Sequence, residues 1–188
     1  MNIIIMGPPK SGKGMITRKL TSEFGYNLIC SGDLLRSEKD FNPKLESKIS
    51  NALDKGDLVS DGIINKLMLN EFQKASSISQ SFLIDGYPRT LKQSMNLERM
   101  IKVSVVLWLN ISDETSIDRS IKKGVTEDTA KQRLIDFKDG FSRIRNYYTN
   151  VIVDIDGEGS IDDVYKRIID TLFETVKEER DASSIINS

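Results

Sequence analysis

Short, nearly unbroken apolar runs alternate along the chain with longer stretches in which apolar residues recur every three or four positions. A strand buried on both faces requires the first pattern, and an amphipathic helix the second. The runs at 2–6, 27–30, 81–84, 103–109 and 151–155 are read as strands, the fourth being the strongest because only Ser104 interrupts it. Helices are predicted at 13–24 (where Ile16, Leu20 and Phe24 share a face), 33–38, 43–53, 63–74, 113–122, 129–148 and 160–176. Gly140 weakens the long helix at 129–148, and the mostly polar residues 177–188 are expected to fray. Five buried strands with intervening helices predict an α/β fold of three layers, a five-stranded parallel sheet with helices on both faces. Residues 31–79 place several helices between the second and third strands. They are expected to cap the carboxyl edge of the sheet, where ligands bind in such folds.

Composition narrows the picture. A chain of 188 residues, 38% hydrophobic and 29% charged, suits one compact domain. The formal net charge of −1 supplies no bulk attraction to nucleic acid, so no nucleic-acid partner is expected. No apolar run approaches the roughly 20 residues of a membrane span, and residues 2–6 read as a core strand rather than part of a signal peptide. The single cysteine, Cys30, fits a reducing, cytoplasmic setting. Histidine is absent, which removes imidazole acid–base catalysis and imidazole metal ligands. What remains is chemistry by charge and positioning, and a monomer is expected.

The sharpest local signal is Gly7-Pro8-Pro9-Lys10-Ser11-Gly12-Lys13-Gly14, after a predicted strand and opening a predicted helix. That is the context of a P-loop. Glycines let backbone N–H groups turn inward around phosphate oxygens, the helix presents its positive end, and Lys13 reaches the β- and γ-phosphates. The loop resembles that of the adenylate kinases, which typically reads Gly-x-Pro-Gly-Ser-Gly-Lys-Gly-Thr. Lys10 stands where that family has glycine and Met15 where it has threonine. Lys10 must adopt a backbone angle glycine reaches more easily, and Met15 lacks a hydroxyl for phosphate. By resemblance, Lys10, Ser11, Gly12, Lys13, Gly14 and Met15 bind ATP.

Further motifs follow in the family's order and extend the resemblance over nearly the whole chain. Ser31-Gly32-Asp33-Leu34-Leu35-Arg36 resembles Thr-Gly-Asp-Leu-Leu-Arg, so Ser31 and Arg36 are expected to hold the phosphate of AMP. By its position alone, Ser31 also suits a helix N-cap. Gly56-Asp57-Leu58-Val59 resembles a turn against the acceptor base. Asp85-Gly86-Tyr87-Pro88-Arg89 ends the third strand; there the resemblance implies that Asp85 holds Mg2+ through water, Gly86 lies at the AMP site and Arg89 clamps the acceptor phosphate. Gln93, one helical turn after Arg89, matches a glutamine that pairs with adenine, an amide offering both a donor and an acceptor. UMP/CMP kinases usually carry asparagine in this region.

Arg119 matches a residue that stacks on the donor adenine, and Lys123 falls where the family has an arginine for the donor phosphates. Arg133 matches an arginine that touches both phosphate groups during transfer. Gly159, in the turn 156–164, is expected against the donor adenine. The family's lid carries Gly-Arg-x-Asp-Asp, whereas only Val125-Thr126-Glu127-Asp128 intervenes here. The resemblance thus implies one kinase domain over 1–188, a helical monophosphate-binding insertion at 31–60 and a shortened lid at 119–133. The implied reaction is ATP + AMP = 2 ADP, with Lys13, Arg89, Arg119, Lys123 and Arg133 stabilising the transferring group. Arg143 and Arg145, on the next turns of the helix, are the candidates to replace the missing lid arginine. The rival readings are a UMP/CMP or deoxynucleotide kinase and a weakly catalytic nucleotide-binding regulatory module.

Overall fold

The computed structural model of the protein describes residues 1–55, 57–75 and 81–186. Its elements follow the order β1 (Ile3–Met6), α1 (Lys13–Phe24), β2 (Asn27–Cys30), α2 (Ser31–Phe41), α3 (Pro43–Lys55), α4 (Asp61–Ala75), β3 (Phe82–Asp85), α5 (Leu91–Glu98), β4 (Val105–Asn110), α6 (Asp113–Ile121), α7 (Glu127–Tyr147), β5 (Ile152–Asp156) and α8 (Ile161–Ile186). The strands form one sheet in the order β2-β3-β1-β4-β5, and every pairing is parallel.

Side chains alternate across a strand, and the core divides accordingly. Ile4 and Met6 of β1, Phe82 and Ile84 of β3, and Val106 and Trp108 of β4 face one apolar cluster, with α3, α4 and α7 contributing Ile49, Met68 and Ile144. Ile3 and Ile5, Leu83, and Val105, Leu107 and Leu109 face the other, against Ile16 and Leu20 of α1 and Ile168 of α8. Both faces of the sheet are covered, which is why these strands read as continuous apolar runs. The chain leaving β1 returns through α1 to β2, whereas the chain leaving β3 crosses through α5 to β4. These neighbouring strands therefore send their connections in opposite directions and open a crevice at their carboxyl ends, the usual place for a ligand in an open α/β sheet.

Several boundaries differ from the sequence reading. Helix α2 starts at Ser31, not Asp33, with Cys30 at the N-cap position. Ser31 is thus not a cap; its hydroxyl donates instead to the carbonyl of Gly86, 2.7 Å away. Helix α5, unassigned from sequence, is capped by Thr90, whose side chain accepts from the Gln93 N–H. Helix α7 runs through Gly140, as the sequence reading has it, but starts earlier, at Glu127; Trp108, Phe137 and Phe141 cluster alongside it with centroids 4.4–6.1 Å apart. Helix α8 extends past the expected end at 176 to Ile186, and residues 187–188 lie outside the described residues. Gly56 and residues 76–79 of the expected cap lie outside the described residues.

Candidate active site

The crevice widens into a cavity of about 660 Å³ bounded by the loop after β1, the loop after β3, the α2 and 57–58 segments, and the inner face of α7. Lys13, Arg36, Arg89 and Arg133 all line it. Four cations from four separate stretches of chain converge there, a concentration of positive charge that suits a polyanion.

The β1–α1 loop is shaped by close approach. A Cβ on Gly7 would sit 2.7 Å from the carbonyl oxygen of Leu109, so the loop can lie against β4 only with glycine there. No side chain caps α1 and its first turn holds no acidic residue, leaving its N–H groups to an anionic ligand. Lys10 has φ 61° and is the one non-glycine residue with positive φ among those described. That region costs an ordinary residue roughly 1–2 kcal/mol, and glycine's greater unfolded-state freedom returns roughly 0.5–1 kcal/mol of it. Lys10→Gly is therefore expected to stabilise the fold by about 0.5–1 kcal/mol, visible as a raised Tm. The Ser116 hydroxyl on α6 also pins the loop, donating to the Pro9 carbonyl at 2.7 Å.

Lys13 bends back over its own loop. Its ammonium donates to the carbonyls of Gly7 and Pro8 at 2.8 and 2.9 Å and to the Ser11 hydroxyl at 3.2 Å. Protein surrounds it on most sides although it keeps a path to solvent. Desolvation lowers its pKa to about 8; Asp85 opposes the shift and Arg89 adds to it. Asp85, at the carboxyl end of β3, is pushed upward by burial, with Lys13 and Arg89 holding it back. Arg89 donates through Nε to the Gly86 carbonyl at 3.0 Å, the same oxygen that accepts from Ser31. Gly86 thereby joins the Ser31 and Arg89 side chains. Arg36 pairs with Asp33 on the exposed face of α2, and Leu58 is exposed while Val59 is buried in the core.

The structure does not bring every expected residue to this cavity. Gln93 is 3% exposed, with its amide engaged by Asp61 and the Arg89 N–H, and is not among the residues lining the cavity. Arg119 lies on the far side of the β1–α1 loop, donating to the Lys10 carbonyl at 3.4 Å and lying 4.0 Å from Glu158. Gly159, with φ +95°, is in the neighbouring turn beside Asp163. Lys123 is exposed beyond the end of α6 and is not among the residues lining the cavity. Arg145, a candidate replacement for the lid arginine, has its guanidinium held by Asp154 at 2.6 and 2.9 Å and lying over Trp108. Sequence reasoning passed over Asp136, Phe137 and Phe141, which line the cavity. Their spacing along α7 reads as an ordinary amphipathic stripe.

The comparisons with known proteins point to one family. A family model described as adenylate kinase matches residues 5–153. An adenylate kinase of Mycobacteroides abscessus is 31% identical over 175 residues, covering 89% of this chain and 96% of the relative. Adenylate kinase isoenzyme 1 of Sus scrofa is 31% identical over 183 residues, covering 90% and 94%, and its Homo sapiens counterpart is 31% identical over 176 residues, covering 88% and 91%. A glycine-rich loop between a central strand and an uncapped helix, an aspartate ending the neighbouring strand, and similarity running nearly end to end leave one assignment: the chain belongs to the adenylate kinase family.

Proposed function

We propose that this protein transfers the γ-phosphoryl group of MgATP to AMP, giving two ADP. The observation that carries this reading is the convergence of Lys13, Arg36, Arg89 and Arg133 on one cavity at the crevice between β1 and β3. Phosphoryl transfer needs little covalent help from protein; it needs two phosphate groups held in line and their charge neutralised. Lys13 and the first turn of α1, with Ser11, Gly12 and Gly14, hold the donor phosphates. Lys10 and Met15 flank them, Arg119 and Gly159 border the donor adenine, and Lys123 reaches the phosphates from the tip beyond α6. Ser31, Arg36 and Arg89 hold the acceptor phosphate, with Gly86 allowing the close approach. Arg133 faces the transferring group from α7. Asp57, Leu58, Val59 and Gln93 border the acceptor base.

Magnesium fits the donor set. Among the described residues no cluster of three or more potential ligands could cage a metal, and magnesium is commonly held by one or two carboxylates together with water and substrate phosphates. Asp85 is the carboxylate at that edge of the sheet. When bound, Mg2+ neutralises charge on the β- and γ-phosphates. Among the described residues no helix is long and apolar enough to cross a membrane. A cytoplasmic monomer is the setting we propose.

A coupled assay for ADP across AMP, CMP, UMP and GMP tests the reaction. AMP should be the best acceptor, and Gln93→Ala should raise the KM for AMP; a preference for CMP or UMP would overturn the assignment. The low pKa of Lys13 adds a pH signature. In the free protein the ammonium loses its proton as pH rises through about 8. Phosphate oxygens favour the charged form. Triphosphate binding should therefore take up a proton near and above that pH, and affinity should fall as pH rises from 7 to 9. Calorimetry in buffers of differing ionisation enthalpy measures both effects.

A further inference from the structure

The Gln93 amide is locked in one sense. Its Nε2 donates to Asp61 Oδ1 at 2.7 Å, and its Oε1 accepts from the backbone N–H of Arg89, also at 2.7 Å. A backbone N–H only donates and an ionised carboxylate only accepts. Turning the amide over would set donor against donor and acceptor against acceptor in a buried site, where unmatched polar groups are costly. Thr90 supports the arrangement, its hydroxyl accepting from the Gln93 N–H at 3.1 Å and lying 3.4 Å from Asp61 Oδ1. The Tyr87 hydroxyl reaches the Gln93 carbonyl at 3.2 Å and Asn65 Oδ1 at 2.8 Å. Asp61 and Asn65 belong to α4, whereas Thr90 and Gln93 belong to the start of α5.

With those partners in place, the amide has one N–H and one oxygen lone pair left, in a fixed order. A purine with a 6-amino group offers a donor at N6 and an acceptor at N1; a 6-oxo purine offers the reverse. At one base pose the locked amide matches only one of them. We propose that Asp61 is a positioning residue for acceptor selection: together with the Arg89 N–H, which holds the amide oxygen, it fixes the polarity of the Gln93 amide, so that the site accepts 6-amino purines and rejects 6-oxo purines. This rests on the reading that Gln93 contacts the acceptor base.

The test compares kcat/KM for AMP and for IMP, which differs from AMP in its 6-oxo group and N1–H, in the unmodified protein and in Asp61→Ala and Asp61→Asn. The unmodified protein should favour AMP by about 5- to 100-fold, the range of one good bidentate pair. In Asp61→Ala, where the Arg89 N–H alone still orients the amide, that ratio should fall about fivefold, mainly through a higher KM for AMP. Asp61→Asn, which can still turn an acceptor oxygen to Nε2, should keep most of it. A purely structural role would lower kcat for both acceptors alike. Should Asp61→Ala be too unstable to assay, Asp61→Ser carries the same test, because a hydroxyl suits the start of α4 yet donates as readily as it accepts. An unchanged AMP-to-IMP ratio in the Ala or Ser variant, beside clear discrimination in the unmodified protein, overturns the role of Asp61 alone. Equal use of AMP and IMP by the unmodified protein overturns the base-reading role of Gln93, and the proposal with it.

Discussion

Lys13→Ala should lower kcat by at least about 10²–10³ while leaving the fold intact, a loss of the size seen when one group that stabilises developing charge is removed. The side chain is half-buried, and its hydrogen bonds go to the carbonyls and hydroxyl of its own loop rather than to the core. Removing it costs the sheet nothing. It also removes an ammonium whose pKa is already depressed by desolvation, so the Tm should hold or rise slightly. Those loop contacts also mean that a triphosphate must outcompete carbonyl oxygens for the ammonium, which an anion does readily. Steady-state kinetics paired with a melting curve checks both parts. Turnover like that of the unmodified protein in a folded Lys13→Ala variant would remove the phosphate-binding role of the loop.

The second large effect concerns the segment between α6 and α7. Helix α6 ends at Ile121 and α7 begins at Glu127 with Thr126 as its cap, so residues 122–126 are all that connects them. We propose that this short connection closes incompletely over the transferring phosphoryl and brings no second arginine to it. Arg145 is paired with Asp154 and would have to leave that partner to take the role. Closure excludes water and completes the charged constellation in lid-bearing kinases. Two results are therefore expected of the unmodified protein: tight binding of a bisubstrate dinucleotide with a low kcat, and measurable ATP hydrolysis without acceptor. Inserting a Gly-Arg-x-Asp-Asp segment between Gly124 and Val125 should raise kcat by about 10–10³, approaching the worth of an arginine delivered to the transition state, and should suppress the hydrolysis. Fast, fully coupled transfer in the unmodified protein would show that another residue completes the site.

The centre of the sheet was legible from sequence because β1, β3 and β4 are buried on both faces. Burial of that kind forces continuous apolar runs such as Ile3–Met6 and 105–109, and no amphipathic helix mimics them. The P-loop was legible because its demands are local: glycine for close approach, a lysine at a fixed step, a strand before and a helix after. Even the strain at Lys10 could be anticipated, since a turn that suits glycine imposes its angle on whatever residue replaces it. Helix α5 was missed because its apolar positions are few and its start depends on Thr90, a cap that a short polar stretch does not advertise.

The sequence by itself determined the alternation of strands and helices, the phosphate loop and the family resemblance, all of which are written in neighbouring residues. Only the tertiary structure decided which distant charges meet. Arg36, Arg89 and Arg133 share a cavity with Lys13 because the connections after β1 and β3 part at the sheet edge and α7 lies across the opening. By contrast, Arg145, on the same helix as Arg133, is claimed by Asp154 of β5. Asp61 reads in sequence as an ordinary acidic residue at the start of a helix. It becomes the partner of the Gln93 amide because α4 packs against α5, bringing together residues 32 positions apart. Such pairings follow from how elements pack, which local periodicity does not encode.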